Sequence, residues 1–253
     1  MIQQLREKIN SIRLNYAAKQ RNKTLASQLD PEKIAHLTPT VNGYSEWYGN
    51  EYGGFYINPK LLSSSSIVYS IGIGKDISFD KACMKNHDCK VFGFDPTPKS
   101  INFIAGQKLS KSFSFFDFGI TASASGMVDF YLPTNPRGVS GSLVESECVD
   151  SNNTISVKMR SFDDIVKELG HSHIDVLKMD IEGSEYEVLP KILESSVTID
   201  QILVEFHDRL FDQDNYKSKE IVKLMNEKGY EVFAASNTYE EISFIHRLKL
   251  PRN

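Results

Sequence analysis

The sequence predicts a doubly wound α/β fold: a mostly parallel sheet with helices on both faces and an antiparallel edge strand. Three observations carry this. From residue 66 onward, short apolar runs of strand length alternate with amphipathic runs of helix length, which builds a parallel sheet covered on both faces. The last two apolar runs, 230–235 and 241–247, have no helix-length segment between them and so pair as antiparallel neighbours. The first strand closes on Gly72-Ile73-Gly74, the tight turn that carries such a sheet from its first strand into its first helix. A chain of 253 residues holds one substantial core. We expect a helical extension over residues 1–40 and a single domain over 41–253.

Ile2, Leu5, Ile9, Ile12 and Tyr16 recur at three- and four-residue steps, one stripe of a helix. Arg6, Lys8, Arg13, Lys19, Arg21 and Lys23 make the segment basic. The stripe suits packing on its own domain, a contact with a second copy of the chain, or attachment to a membrane surface. Residues 31–59 are irregular and aromatic, with Tyr44, Trp47, Tyr48, Tyr52, Phe55 and Tyr56 interleaved with glycines. They form a loop or hairpin that packs on the core, covers a ligand, or does both.

Residues 66–71 are the first buried strand and 76–86 a helix burying Ile77, Ala82 and Met84. Strand 90–94 ends at Asp95-Pro96, helix 99–109 follows, and 112–118 is the third strand. Residues 127–132 are an inserted strand, followed by a turn-rich stretch at 133–142 and a strand at 154–159. Ser161-Phe-Asp-Asp164 reads as a cap opening a helix to 169. Strand 174–179 ends at Asp180, helix 184–193 contains Pro190 as a potential kink, and strand 201–206 ends at His207. Helix 215–228 precedes the two closing strands.

The composition is that of an ordinary globule, 40% hydrophobic and 25% charged. A net charge of −4 carries no nucleic-acid footprint. Cys83, Cys89 and Cys148 are odd in number and lack metal-ligand spacing, which suits free thiols in a reducing cytoplasm. No apolar run approaches the roughly 20 residues that span a bilayer. The first residues do not have the pattern of a signal peptide.

In open α/β sheets, ligands sit beyond the carboxyl ends of the strands. Gly72, Gly74, Asp95, Asp180 and His207 all fall just past strand ends. The turn from Gly72 to Asp76 opens a helix, whose free N–H groups suit an anionic group of a ligand. Asp95, about twenty residues further on, suits a pair of ribose hydroxyls. Its alternative is a turn initiator before Pro96. Phe118 and Gly119 close the third strand where an adenine edge is expected, with the core as the other home for Phe118. A nicotinamide site asks for a small residue where Ile77 stands, which argues against it.

The segment Ile174-Asp-Val-Leu-Lys-Met-Asp-Ile-Glu-Gly-Ser-Glu-Tyr-Glu-Val-Leu189 resembles the hallmark of the FkbM family of S-adenosylmethionine (SAM)-dependent methyltransferases. Further blocks are similar in the same order: Val68-Tyr-Ser-Ile-Gly-Ile-Gly74, Phe94-Asp-Pro-Thr-Pro98, Phe118-Gly-Ile120, Arg160-Ser-Phe-Asp-Asp164 and Leu203-Val-Glu-Phe-His207. Gly53-Gly-Phe-Tyr56 looks like the block that precedes the first strand. The resemblance runs from about Tyr52 to His246 and leaves residues before about Val41 uncovered. Relatives often carry Glu where Asp95 stands. The resemblance implies a Rossmann-like class I methyltransferase with seven strands, SAM as cofactor, and O-methylation of a hydroxyl, characteristically of a sugar in a capsule, lipopolysaccharide or other surface glycan.

Methyl transfer from a sulfonium needs the acceptor oxygen, methyl carbon and sulfur on one line, and a group to take the hydroxyl proton. Asp180, Glu182, Glu205 and His207 are the available side chains. Asp180 and His207 suit direct acid–base work, with Asp180 alternatively lying beside the cofactor. The second reading is that Asp180, Glu205 and His207 ligate a divalent ion such as Mg²⁺ or Mn²⁺, and the third is that His207 is structural only. Glu182 is either a substrate contact or a favourable charge at a helix start. The stretch 133–142 is a candidate acceptor loop, with Arg137 and Ser140 placed to meet a small or nucleotide-linked sugar. The competing readings are a nicotinamide-dependent oxidoreductase and a non-catalytic protein that keeps the fold.

Overall fold

The structure, a computed structural model, describes residues 2–133, 149–211 and 216–251. The chain opens with α1 (Ile2–Ala26) and α2 (Pro31–Ile34), then an antiparallel hairpin of β1 (Glu46–Tyr48) and β2 (Phe55–Ile57). The alternating part begins with β3 (Ile67–Ile71), α3 (Ser78–His87), β4 (Lys90–Phe94), α4 (Pro98–Ala105) and β5 (Phe113–Phe116). Thr97 caps α4 through Ser100 N and Pro98 occupies its first turn, where the missing N–H costs nothing.

The expected third strand, 112–118, is shorter, running over Phe113–Phe116. After β5 the chain leaves the main sheet, and β6 (Gly119–Thr121) joins a smaller one with β7 (Gly126–Pro133) and β8 (Val149–Ser161), in the order β6-β8-β7. Ser161 Oγ then accepts from Asp164 N at 3.2 Å and opens α5 (Phe162–Leu169) as the capping pattern indicates. The chain continues through β9 (His173–Met179), α6 (Glu185–Glu194), β10 (Thr198–Glu205), α7 (Lys217–Glu227), β11 (Tyr230–Ala235) and β12 (Glu241–His246). Helix α6 runs through Pro190 rather than ending at it.

The seven-stranded sheet has the order β5-β4-β3-β9-β10-β12-β11. Strands β5, β4, β3, β9 and β10 pair in parallel. The last strand, β12, is antiparallel to both β10 and β11. The reversed strand expected at the edge thus stands one place inside it, and β11 forms the edge. This is the Rossmann-like class I methyltransferase sheet.

Alternate residues of each strand feed two cores. Val68, Val91, Val176 and Leu203 meet Phe79 and Cys83 of α3 and Ile104 of α4 on one face. Tyr69, Ile71, Leu177 and Ile202 meet α5, α6 and α7 through Ile165, Leu189 and Met225 on the other. Cys83 and Cys89 are buried free thiols, and burial pushes both up in pKa. Cys148 lies outside the described residues.

The segment before the first strand is fixed to the sheet by a buried amide. Gln201 Oε1 accepts from Asn58 N at 2.7 Å and Gln201 Nε2 donates to Asn58 O at 3.3 Å, so one side chain imitates a neighbouring strand. Ser243 Oγ donates to Tyr56 O at 2.7 Å beside it.

Helix α1 docks with a face other than its apolar stripe. Ile9, Ile12 and Tyr16 of that stripe are exposed, at 41%, 61% and 66%. The docking contacts come from the other side: Asn15 Oδ1 accepts from Glu51 N at 2.8 Å, Asn22 Nδ2 donates to Glu51 O at 3.2 Å, and Arg21 forms a two-pronged pair with Glu240. The stripe therefore does not pack on its own domain through these residues.

The Gln201 amide gives the first test. Replacing Gln201 by Leu keeps the volume but strands the N–H and C=O of Asn58, a loss of about 1–3 kcal/mol. We expect a lower melting temperature, by about 2–4 °C per kcal/mol for a chain of this size, read by differential scanning calorimetry.

Candidate active site

A cavity opens beyond the carboxyl ends of β3, β4 and β9, with Gly72, Gly74, Asp76, Asp95, Gly119 and Asp180 in its wall. Two backbone bonds set its floor: Gly72 N donates to Phe94 O and Asp180 N to Ile71 O, both at 3.0 Å. Gly72 has φ +80°, and a Cβ there would stand 1.7 Å from the Asp180 carbonyl oxygen. No other residue type fits without moving the end of β9.

Asp95 is buried, and its carboxylate is fully engaged. Oδ2 accepts from Ile73 N at 3.0 Å and Gly74 N at 2.8 Å, while Oδ1 accepts from Thr97 N at 2.8 Å and Thr97 Oγ1 at 2.6 Å. The four acceptor positions of a carboxylate are thereby filled. The N–H groups of the turn, expected to meet an anion, are turned on Asp95 instead. Asp76 behaves similarly: Oδ1 accepts from Ser78 N and Oδ2 from Asn50 Nδ2 at 2.7 Å, which ties the hairpin segment to the turn. Both aspartates hold the shape of the cavity wall.

Phe118 departs from its expected place. It does not line the cavity; its ring packs on Phe94 at 5.7 Å and Phe116 at 5.5 Å between centroids, because the bend after β5 turns it into the core. Ile120, Phe130 and Met159 supply the apolar wall there. Two charged residues without an assigned role also reach this cavity. Lys178, from the middle of β9, is 5% exposed and donates from Nζ to Gly72 O at 2.8 Å. Asp80 of α3 is buried, with an Oδ1 that has no hydrogen-bond partner; burial raises its pKa against the pull of Lys178.

Tyr52, Asp180 and Glu182 stand in the wall of this cavity and also of a second. The second is roofed by Leu14, Ala17 and Ala18 of α1 and floored by Glu205, Arg209 and Glu241. Burial and the surrounding carboxylates raise the Tyr52 phenol. Glu182 holds φ +50°, a left-handed backbone that costs a side-chain-bearing residue about 1–2 kcal/mol. Gly183 follows at φ +98°, so the chain after Asp180 makes a sharp left-handed turn.

His207 lies beneath this seam, wholly buried and outside the lining of both cavities. Its Nε2 stands 3.4 Å from Glu182 Oε2, 3.5 Å from Glu205 Oε1 and 3.7 Å from Asp180 Oδ1, and makes no hydrogen bond. Behind it, Glu185 Oε1 accepts from both His207 Nδ1 at 3.0 Å and His207 N at 2.9 Å, and Glu185 Oε2 accepts from Gly183 N at 2.9 Å. Burial lowers the imidazole pKa, but Glu185, Glu205 and Glu182 outweigh it and the ring is pushed up to about 10. Burial, then Asp180, hold Glu205 well above the usual carboxylate range.

The sequence-derived set is thus split. Asp180, Glu182, Glu205 and His207 converge, and Gly72, Gly74, Asp76, Asp95 and Gly119 line the first cavity. Arg137 and Ser140 lie outside the described residues. Glu185, Lys178 and Asp80 were not singled out. Glu185 sits in the first helical turn, where acidic residues are ordinary; Lys178, a charge inside an apolar strand, is the one with a signal of its own.

Sheet order and cavity placement together define the chain as a class I methyltransferase fold. Residues 10–232 match the Methyltransferase FkbM domain, and the chain belongs to that family. The match begins earlier than the resemblance in the motifs, and so takes in most of α1. Human probable methyltransferase-like protein 24 is 29% identical over 155 residues, 60% of this chain and 36% of that protein. The rat protein of the same name is 26% identical over 75% of this chain and 47% of its own length. Hexuronic acid methyltransferase AglP of Haloferax volcanii is 24% identical over 62% of this chain and 66% of its own. The chain spans less than two thirds of the length of each. Among solved structures, Aeropyrum pernix fibrillarin, in complex with SAM, overlays with a TM-score of 0.38 at 10% identity, covering 73% of this chain and 66% of that one. Human N-acetylserotonin methyltransferase, also with SAM, overlays at 0.36 and 12%, covering 75% and 52%.

Glu185 supplies the test of this geometry. Glu185→Leu leaves three buried N–H donors without an acceptor and should cost on the order of 3–5 kcal/mol, seen as a lower urea midpoint. Glu185→Gln keeps an acceptor oxygen and should lose less than half as much.

Proposed function

We propose that this chain is a SAM-dependent O-methyltransferase whose acceptor is a hydroxyl of a sugar. The observation that carries the reading is the junction of two cavities at Asp180: a glycine-walled one over β3 and β4, and a carboxylate-lined one under α1. Membership of the FkbM family supports the methyl transfer, and the name of the Haloferax relative supports a sugar.

The first cavity suits SAM. Its adenosyl part lies against Ile120, Phe130 and Met159. The methionine end needs an anion and a cation, and the unpartnered Asp80 Oδ1 and the Lys178 ammonium answer its amino and carboxylate groups. Asp95 meets the ribose by exchanging one of its donors. Thr97 Oγ1 is the donor that rotates away most easily, since the other three are backbone N–H groups.

The second cavity suits a polyol. Carboxylates accept hydroxyl hydrogens in pairs, and Glu182, Glu205 and Glu241 present several acceptors to a ring of hydroxyls. In the reaction the acceptor oxygen forms a bond to the methyl carbon as the carbon–sulfur bond breaks, leaving a neutral thioether. Asp180, in the wall of both cavities, takes the hydroxyl proton. His207, buried beneath, acts through Asp180 as a positioning residue rather than by touching the acceptor. Among the described residues no helix is long and apolar enough to cross a membrane. The expected setting is the cytoplasm, on a small or nucleotide-linked sugar that later enters a surface glycan.

Measurements of binding and of turnover test this. SAM should raise the melting temperature of the full chain while NADH leaves it unchanged; the reverse would favour an oxidoreductase. Asp95→Ala should weaken SAM binding at least tenfold, and Thr97→Val only slightly. With methyl-labelled SAM and a panel of sugar nucleotides, label should enter one sugar. Asp180→Asn should then lower kcat by about 10²-fold or more while keeping the SAM-induced thermal shift. An unchanged kcat in Asp180→Asn would remove Asp180 from the chemistry.

A further inference from the structure

We propose that Asp180, Glu182, Glu205 and His207 form a binding site for one divalent cation of the Mn²⁺ type. The inference rests on the geometry around His207 and does not need the SAM reading.

His207 Nε2 is buried without a hydrogen bond, an arrangement that costs about 1–3 kcal/mol unless something pairs with it. It is aimed at three carboxylate oxygens, at 3.4, 3.5 and 3.7 Å. Those gaps exceed the 2.7–2.9 Å or so of a charged N–H···O bond. They fall at the wide end of ligand spacings around a divalent ion, and the side chains close by a few tenths of an ångström about one of Mn²⁺ size. Atoms at right angles about a cation stand roughly 3.0 Å apart for Mg²⁺ and about 3.3–3.7 Å for Ca²⁺, by its bond lengths. Ligand atoms of Asp180, Glu182 and His207 all lie within 4.8 Å of one another.

The ring is already set for coordination. Nδ1 donates to Glu185, so a cation that displaces the Nε2 proton meets the lone pair of that atom on the side facing the cluster. A carboxylate behind a ligating histidine is the usual support for such a ligand. One imidazole among carboxylates favours Mn²⁺ over an all-oxygen ion such as Ca²⁺. Arg209, the guanidinium beside the cluster, divides itself between Glu205 at 3.7 Å and Glu240 at 2.9 Å. A contrasting set, His173, Asp175 and Asp200, has Lys249 Nζ already 3.0 Å from Asp200 and needs no further cation. The wall of the second cavity gives access from solvent. A cation held here would polarise a hydroxyl entering that cavity and ease loss of its proton.

The test uses the full chain, stripped with EDTA, dialysed, and titrated with MnCl₂ while free Mn²⁺ is followed by electron paramagnetic resonance. One Mn²⁺ should bind per chain, with ¹⁴N modulation from a single imidazole. Glu205→Gln and His207→Gln should weaken binding at least tenfold, and Glu185→Gln about tenfold through the ring. Exposed Glu187→Gln should leave affinity unchanged. Glu182→Gln, at a partly exposed position, guards against loss of folding in the buried variants. SAM-induced thermal shift is recorded on the same samples. No Mn²⁺ binding at millimolar concentration by protein that binds SAM would overturn the cation site alone and leave the methyltransferase reading standing. Binding that all three ligand variants preserve, or that lacks the nitrogen signal, would overturn it equally. Mn²⁺ binding without a SAM response would uphold the site and count against the reading above.

Discussion

A single buried carboxylate joins the parts of this molecule that matter most. Glu185 starts α6, yet its oxygens face back along the chain and across the sheet. They take the N–H of Gly183 on one side and both the backbone and ring N–H of His207 on the other. The left-handed turn after β9 and the end of β10 are thereby held in one frame. Without that frame Glu182 would have no reason to keep a strained backbone, and the imidazole would be free to rotate. Charge is placed in the interior at a cost, and the cost is met by three N–H donors and a ring with a raised pKa.

Much of this was legible in the linear sequence. The apolar runs closed on a glycine turn or a polar residue, and parallel strands put such residues at one end of the sheet. Asp180 and His207 could be placed together because β9 and β10 follow each other around one helix. What could not be read was direction. Glu185 drew no notice because nothing in its neighbours tells which way a first-turn carboxylate faces. Asp95 stood at the right spacing, but spacing does not show that four protein donors fill it in the ligand-free chain. Phe118 lay on the last residues of an expected straight strand, and a bend after Phe116 sent it into the core. The reversed strand was foreseen, whereas its insertion inside β11 depends on long-range pairing that no local pattern encodes.

The two cavities are built on different principles. The one over β3 is made from backbone: two glycine turns, strand-end carbonyls and aspartates that brace them. Its shape is fixed by packing on both faces of the sheet and by the close approach of Gly72 to Asp180. The one under α1 is made from side chains, several of them carboxylates whose protonation shifts with whatever positive charge is near. The first takes its form from the backbone; the second takes its character from charged side chains.

Among the described residues, helix α1 places no side chain in the buried cores, but it forms the ceiling of the chamber beside Asp180. Polar contacts at Asn15, Arg21 and Asn22 hold it there, and these tolerate exchange far better than a strand packed on two faces. Changes at Leu14, Ala17 or Ala18 would therefore reshape what the chamber admits and leave the machinery underneath intact. If the proposed function holds, a lineage can in this way acquire a new clientele by editing α1, while the glycine-walled cavity stays as it was.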